Sequence, residues 1–141
     1  MKVVILGCGR VGATLATQLD QAGHSVSVID SSSDAFQRLD SKFRGEKIVG
    51  NGGQEDVLRR AGIETADAFA AVTNGDNRNI LVSQIAKEIF HVKKVVCRIY
   101  DPLRQRTFDE LGLEAICPTT IVADMLFDSL NEWNQVKTIT Q

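Results

Sequence analysis

The stretch that decides the fold is VVILGCGRVG, residues Val3 to Gly12. Its four leading apolar residues predict a strand that is buried on both faces, as in a parallel sheet. The G-x-G-x-x-G spacing that follows is typical of a turn from a strand into a phosphate-binding helix. Gly7 permits the tight turn, Gly9 lets the backbone approach a phosphate without a Cβ, and Gly12 lets the helix pack closely on the strand. The stretch therefore predicts a phosphate cradle at a helix N-terminus.

A carboxylate follows at the distance that such a site requires. Residues 25–29 predict a second strand that ends at Asp30, eighteen residues after Gly12. A carboxylate there can accept hydrogen bonds from both hydroxyls of an adenosine ribose. No arginine directly follows Asp30, which favours a plain ribose over one that carries a 2′-phosphate. Glycines at this spacing also occur by chance in turns, but the strand, the helix and Asp30 together predict nucleotide binding.

Strand and helix signals alternate along the rest of the chain with short connections, which is typical of a parallel α/β sheet. Ser32 or Ser33 is expected to cap a helix after the second strand. Pro118 opens a last helix with two apolar stripes, and the second stripe has no sheet left to cover and needs another partner. We expect a doubly wound parallel sheet of about six strands in the order 3-2-1-4-5-6. The further strands are predicted around residues 47–49, 68–72, 94–99 and 113–116, and residues 135–141 show no clear pattern.

Ligands of open α/β sheets bind at the carboxyl ends of the strands, so the loops there supply further candidates. The third predicted strand runs into the glycine-rich loop 50–53, and the fourth runs into the polar loop 73–77. Arg10 in the glycine turn is either a solvated residue at a helix start or a ligand for additional phosphate charge. Arg98 lies in an otherwise apolar strand, either as a surface residue at a sheet edge or as a phosphate ligand. A charge in a buried parallel strand normally needs a partner, which favours the phosphate role.

Composition excludes several classes of protein. The 16 Lys and Arg residues against 18 Asp and Glu residues give a net charge of −2, so nucleic acid is not an expected partner. The 141 residues suit a single domain with one core. The first strand starts almost at residue 1 and no apolar run approaches the roughly 20 residues of a membrane span, which predicts a cytosolic protein without a signal peptide. Three cysteines without C-x-x-C spacing favour neither disulfides nor a zinc site.

Groups suited to catalysis are missing near the predicted cleft. His24 and His91 follow or end helices, and Tyr100 is followed four residues later by Arg104 and not by the lysine of short-chain dehydrogenases. These observations favour a nucleotide-binding module without catalysis over the alternative, a small NAD-dependent oxidoreductase or its cofactor domain. A third interpretation is a redox sensor at Cys8, where a helix N-terminus would stabilise a thiolate, although packing of a small residue explains Cys8 more simply.

Several motifs together resemble the N-terminal lobe of the regulator-of-potassium-conductance family, the TrkA and KtrA type of cytosolic subunit of potassium uptake systems. The resemblance runs from Met1 to about Leu130. Besides the glycine turn with its arginine, it rests on Val28-Ile29-Asp30, Val49-Gly50-Asn51, VLRRAGI at 57–63, Ala71-Val72-Thr73 with Asp76 and Asn79, and Val96-Cys97-Arg98. It implies a nucleotide sensor and not an enzyme. Proteins of this family bind NAD, NADH, ATP or ADP, and form dimers that build an octameric ring beneath a membrane potassium channel or transporter.

The resemblance also implies roles for individual residues. Arg10 would meet the outer phosphate, Asp30 and Ser31 would hold the ribose, Gly50-Asn51 and Thr73 would border the adenine, and Arg98 would face the phosphates. Asn51 stands where the family usually has an aspartate; its amide oxygen would still accept a hydrogen bond from an adenine amino group. The full set of expected nucleotide contacts is Gly7, Gly9, Arg10, Val11, Gly12, Asp30, Ser31, Gly50, Asn51, Thr73, Asn74, Asp76, Asn79 and Arg98.

The implied organisation is a nucleotide-binding lobe over residues 1–130 and a tail over residues 131–141, with the last helix crossing onto a neighbouring lobe. Proteins of this family usually continue into a smaller C-terminal lobe, and the resemblance predicts no such lobe within residues 1–141. We therefore expect either a truncated piece or a natural single-lobe subunit that works with a separate partner chain. The implied location is the cytoplasm, at the inner face of the cell membrane through a membrane partner.

Overall fold

The structure of the chain is a computed structural model that describes residues 1–140. Strands and helices alternate along nearly the whole chain, as the sequence predicts. The strands are β1 (Lys2–Leu6), β2 (Ser25–Asp30), β3 (Glu46–Val49), β4 (Ala68–Ala71), β5 (Lys94–Arg98) and β6 (Glu114–Ile116). The α-helices are α1 (Arg10–Gln21), α2 (Glu55–Arg60), α3 (Asp76–Gln84), α4 (Gln105–Glu110) and α5 (Pro118–Thr140). Short 3₁₀ turns cover Ser33–Arg38, Ile63–Thr65 and Pro102–Arg104, and a π-helical turn, Ile85–Ile89, extends α3.

The six strands form one sheet in the order β3-β2-β1-β4-β5-β6, and every neighbouring pair is parallel. The predicted doubly wound sheet and its strand order are therefore confirmed, and each predicted strand is correct to within one residue at either end. Central strand β1 pairs Ile5 with Val28 on one side and with Ala70 on the other. Because all strands run in one direction, their carboxyl ends open onto the same edge of the sheet.

Apolar residues cover both faces of the sheet, which explains the continuous apolar run of β1. Val4 faces a cluster that includes Leu58, Phe69 and Phe108. Ile5 faces the opposite cluster, to which α1 contributes Ala13 and Ala16. This double burial holds β1 rigidly, so the glycine turn that follows it has a fixed starting point.

Two segments differ from the sequence prediction. The expected helix after β2 is a short 3₁₀ turn, Ser33–Arg38, and the Ser32 side chain makes no capping hydrogen bond. The backbone N–H of Ser32 donates a hydrogen bond to the carboxylate of Asp30. This bond connects the segment to the end of β2. Helix α5 continues through residues 135–140, where the sequence shows no clear pattern, and Gln141 lies outside the described residues. The lobe boundary after residue 130 stays a prediction.

Helix α5 leaves the sheet and exposes its apolar side chains. Every residue from Thr119 to Thr140 is exposed. The exposed apolar set of α5 is Ile121, Val122, Met125, Leu126, Phe127, Leu130, Trp133, Val136 and Ile139. Over residues 1–140, no helix combines the length and the apolar character that a membrane crossing requires. Both apolar stripes predicted for this helix are thus left uncovered within one chain, and the expectation that only the second stripe lacks a sheet to cover is wrong.

Candidate functional site

A cleft of about 1130 Å³ opens at the carboxyl ends of β1 to β5. This volume slightly exceeds the roughly 300–1,000 Å³ that is typical of small-molecule sites. Eleven of the predicted contacts line it: Gly7, Gly9, Arg10, Val11, Asp30, Ser31, Gly50, Asn51, Thr73, Asn74 and Arg98. The structure therefore brings together residues that the sequence spreads over about two thirds of the chain.

The glycine turn forms the floor of the cleft. Gly7 has φ +107°, a conformation that favours glycine. Its N–H donates a hydrogen bond to Ile29 O at 2.8 Å. A Cβ on Gly12 would lie 1.9 Å from Gly7 O, so glycine is required there for helix and turn to pack together. A Cβ on Gly9 would meet no protein atom within 4 Å. The space beside Gly9 is therefore open, as a phosphate approaching the backbone would need.

The Asp30 carboxylate is hydrogen-bonded to the turn that it faces. Its Oδ2 accepts the backbone N–H of Cys8 at 2.8 Å, and its Oδ1 accepts the N–H of Ser32 at 2.9 Å. An ionised carboxylate has about four acceptor positions, so two hydrogen bonds leave capacity for ribose hydroxyls. The structure thus orients Asp30 in advance of any ligand.

The Asn51 amide takes part in the local turn of its loop. Its Oδ1 accepts the backbone N–H of Gly53 at 2.9 Å, which is an Asx-type turn. This hydrogen bond uses one of the two acceptor positions of Oδ1, so the other can still accept from an adenine amino group, as the sequence predicts.

Gly12, Asp76 and Asn79 do not line the cleft, although the sequence analysis expected all three to contact the nucleotide. Asn79 is 0% exposed; its Oδ1 accepts from Thr73 N and Oγ1, and its Nδ2 donates to the Thr73 and Arg98 carbonyls. The carboxylate of Asp76 accepts the N–H groups of Tyr100 and Asp101. These hydrogen bonds hold together the segments that follow β4 and β5. The geometry therefore assigns Asp76 and Asn79 a structural role beside the cleft, not a ligand contact.

Arg98 reaches the cleft from β5 as a partly buried cation. Its Nη2 donates to the carbonyls of Val72 and Thr73 at 2.9 Å each. The guanidinium carbon lies 4.5 Å from the centroid of the Tyr100 ring, a cation–π contact. Its Nε is buried and has no acceptor among residues 1–140.

Half of the 22 lining residues were not predicted as contacts from the sequence, and three of these carry a cationic or aromatic side chain: Arg38, Arg78 and Tyr100. Arg38 ends the 3₁₀ turn after β2, and its Nη1 lies 3.4 Å from the Cys8 carbonyl in the glycine turn. In the sequence, Tyr100 served only to test for the Tyr–Lys pairing of short-chain dehydrogenases, which is absent. Its position two residues after Arg98, at the exit of a predicted strand, was a signal that would have placed it here.

Cys8 does not have the thiolate character that the redox interpretation requires. The side chain is fully buried, and burial, followed by the charge of Asp30, raises the pKa of its thiol. The structure does not support the expectation of a stabilised thiolate at Cys8, because burial and the charge of Asp30 both disfavour the ionised thiol. No metal-binding group of His, Cys, Asp or Glu occurs within the described 140 residues.

Comparisons with known proteins show what this chain is similar to. Residues 3–119 match the TrkA-N domain family. The Trk system potassium uptake protein TrkA of Streptomyces coelicolor is 47% identical over 130 residues, which is 92% of this chain and 58% of that protein. The chain spans about three fifths of the length of this relative and of the TrkA homolog of Pyrococcus abyssi, and 22% of the longer TrkA protein of Vibrio alginolyticus.

Two solved structures with a bound nucleotide share the fold. The Shewanella denitrificans Kef CTD in its AMP-bound form has a TM-score of 0.78 at 21% identity, covering 94% of this chain and 82% of that chain. The GsuK channel bound to NAD has a TM-score of 0.69 at 16% identity, covering 83% of this chain and 21% of that chain. At these identities the likeness shows the fold alone. The match over residues 3–119, together with the 47% identity to TrkA, shows that the chain belongs to the TrkA-N domain family.

Proposed function

We propose that this chain is the nucleotide-sensing lobe of a regulator of potassium uptake. The observation that carries the proposal is the glycine turn held by Asp30, with open space beside Gly9 at the floor of a large cleft. This arrangement presents backbone N–H groups to phosphate and a carboxylate to ribose. The name of the Streptomyces coelicolor relative supports the link to potassium uptake.

The ligand that best fits the cleft is an adenine nucleotide: NAD, NADH, ATP or ADP. Two fold neighbours, one with AMP bound and one with NAD bound, support this class. The charged residues of the lining are Arg10, Arg38, Arg78 and Arg98 against Asp30 and Asp34, an excess of positive charge that suits phosphate. Arg10 is exposed at the start of α1 and supplies a guanidinium for the outer phosphate.

The mechanism is differential binding and not catalysis. A nucleotide can shift the shape of an assembly only by its difference in affinity between two states. The exposed apolar face of α5 suits a second copy of this chain, and the expected assembly is a homodimer that builds an octameric ring. That ring would act in the cytoplasm on a membrane potassium channel or transporter, alone or with a partner chain that carries the second lobe.

The alternative is an oxidoreductase. Among the described residues that line the cleft, none is a histidine, and the single tyrosine, Tyr100, has its ring under Arg98. An acid or base beside a nicotinamide would have to come from Asp30 or Asp34, which lie on the ribose side of the cleft. This distribution supports a sensor.

Calorimetric titration of NAD, NADH, ATP and ADP tests the proposal, with Gly9→Ala as the decisive variant. Gly9 has φ −76° and ψ −164°, which alanine adopts, and the added methyl meets no protein atom, so the fold is retained. The methyl occupies the phosphate approach, and we expect affinity to fall by about tenfold or more.

Gly75→Ala is the matched control, because its Cβ would make only ordinary contacts and it does not line the cleft. We expect it to bind nucleotide normally. Unchanged affinity in Gly9→Ala, or no binding by the unsubstituted chain, would contradict the proposal. Turnover of NADH with a small substrate would favour the oxidoreductase.

A further inference from the structure

Helix α5 is attached to the sheet only at its origin. Cys117 is buried and Pro118 is half-buried, whereas every side chain from Thr119 onward is exposed. The preceding strand is tied to β5 by the N–H of Ile99, which donates to Ile116 O at 3.0 Å. The direction of a 23-residue helix therefore depends on a few contacts at its first turn.

One of these contacts reaches a residue of the cleft. The Thr119 hydroxyl, in the first turn of α5, lies 3.3 Å from the carbonyl oxygen of Tyr100 and donates to it. Tyr100 lines the cleft, and its ring lies under the guanidinium of Arg98, which lines it too. The first turn of α5 is thus one hydrogen bond away from a residue that a bound ligand would meet.

Tyr100 makes three contacts that connect the cleft to the β4 exit and to the first turn of α5. Its N–H donates to the carboxylate of Asp76 at 2.8 Å, its carbonyl accepts from Thr119, and its ring contacts Arg98. The Nε of Arg98 has no acceptor within the described chain, so the protein alone does not satisfy all the donors of this guanidinium. A phosphate in the cleft would attract the guanidinium, and a shift of the guanidinium would disturb its contact with the Tyr100 ring.

We propose that the Thr119–Tyr100 hydrogen bond is a latch through which nucleotide occupancy of the cleft sets the direction of α5. The inference rests on the proposed function, since it needs a nucleotide in the cleft. A small change is enough, because α5 is about 34 Å long at 1.5 Å per residue. A tilt of about 5° at the first turn moves the far end of such a helix by about 3 Å.

The test compares Thr119→Val with Thr120→Val. Valine keeps the β-branched shape of threonine and removes the hydroxyl; in the control, the hydroxyl of Thr120 bonds only within the first turn, to Cys117 O. Trp133 is the single tryptophan of the chain and lies exposed on α5. Its fluorescence emission therefore reports changes in the surroundings of this helix. The measurements are calorimetric affinity, nucleotide-dependent Trp133 emission, and hydrogen exchange of residues 118–123.

We expect Thr119→Val to bind nucleotide while losing more than half of the nucleotide-dependent change in emission and in exchange. Thr120→Val should respond as the unsubstituted chain does, and Thr119→Ser, which keeps a hydroxyl, should restore the response. Equal responses in Thr119→Val and the unsubstituted chain would overturn the latch. The latch would also be overturned if nucleotide changed neither Trp133 emission nor hydrogen exchange in the unsubstituted chain. In that case, nucleotide binding measured by calorimetry would still support the proposed function. Failure of the unsubstituted chain to bind any nucleotide would remove both.

Discussion

The carboxylate of Asp30 accepts the backbone N–H of Cys8 at 2.8 Å, which joins the end of β2 to the middle of the glycine turn. The residue that the fingerprint assigns to the ribose is thus also part of the framework of the phosphate cradle. A hydrogen bond to a charged group contributes roughly 1.5–3 kcal/mol, about twice that of a neutral pair. Stability and ligand binding are therefore coupled at this position.

Asp30→Asn is expected to lower both the free energy of unfolding and the affinity for nucleotide. The uncharged amide accepts more weakly from Cys8 N–H, so the free energy of unfolding should fall by about 1–2 kcal/mol. Nucleotide affinity should fall by about tenfold. Urea unfolding and calorimetry measure the two effects. The control is Asp34→Asn, which makes the same charge change on an exposed residue of the same cleft; equal losses of stability in both variants would contradict the prediction.

Asn79→Ala should destabilise the chain more than any change at a lining residue of the same loop. Four hydrogen bonds are lost, and the polar groups of Thr73 and the carbonyl of Arg98 remain buried. We expect a loss of about 2–4 kcal/mol in the free energy of unfolding. The exposed neighbour Asn74 provides the comparison, since Asn74→Ala should leave stability within about 0.5 kcal/mol. Similar denaturation midpoints for the two variants would disprove the supporting role of Asn79.

Arg10→Ala tests which nucleotide the positive charge of the cleft serves. Backbone N–H groups satisfy most of the pyrophosphate of a dinucleotide, so the guanidinium matters most for a ligand with more phosphate charge. We expect ATP affinity to fall by about tenfold and NADH affinity by less than about threefold in calorimetric titrations. Arg106→Ala removes the same charge from the exposed face of α4 and should change neither affinity. Equal losses for both nucleotides would remove the outer-phosphate role from Arg10.

The buried thiols predict a loss of stability at alkaline pH. Burial raises the pKa of Cys8 and of Cys97 in the folded state above the usual value of a thiol. The unfolded chain then releases these protons first, so the stability that the neutral thiols provide is complete below the unfolded pKa and is lost as pH rises toward the folded pKa. The urea midpoint of unfolding should therefore be lower at pH 9.5 than at pH 7.5. Cys8→Ala should make the difference between these two midpoints smaller. A Cys8→Ala chain with the same pH dependence would contradict this assignment. Mass spectrometry should also find Cys8 unalkylated in the native chain at pH 7.

The sequence by itself determined the sheet, its strand order and the position of the cleft. The apolar run of β1, the spacing of Gly7, Gly9 and Gly12, and the placement of Asp30 are local patterns, and each one specifies backbone conformation directly. The alternation of strands and helices then leaves few topologies. Eleven of the fourteen expected contacts line the cleft for this reason.

Tertiary structure alone decided which way the side chains of Asp76, Asn79 and Tyr100 point. At a strand exit, the sequence shows that Asp76, Asn79 and Tyr100 are near the site, but side-chain direction depends on how the β4 and β5 exits pack against each other. Asn79 turns inward because buried carbonyls of two exits need its donors, and Tyr100 lines the cleft because Asp76 holds its backbone. Burial of Cys8 likewise depends on residues that the fold packs over it, and this desolvation raises the pKa of its thiol.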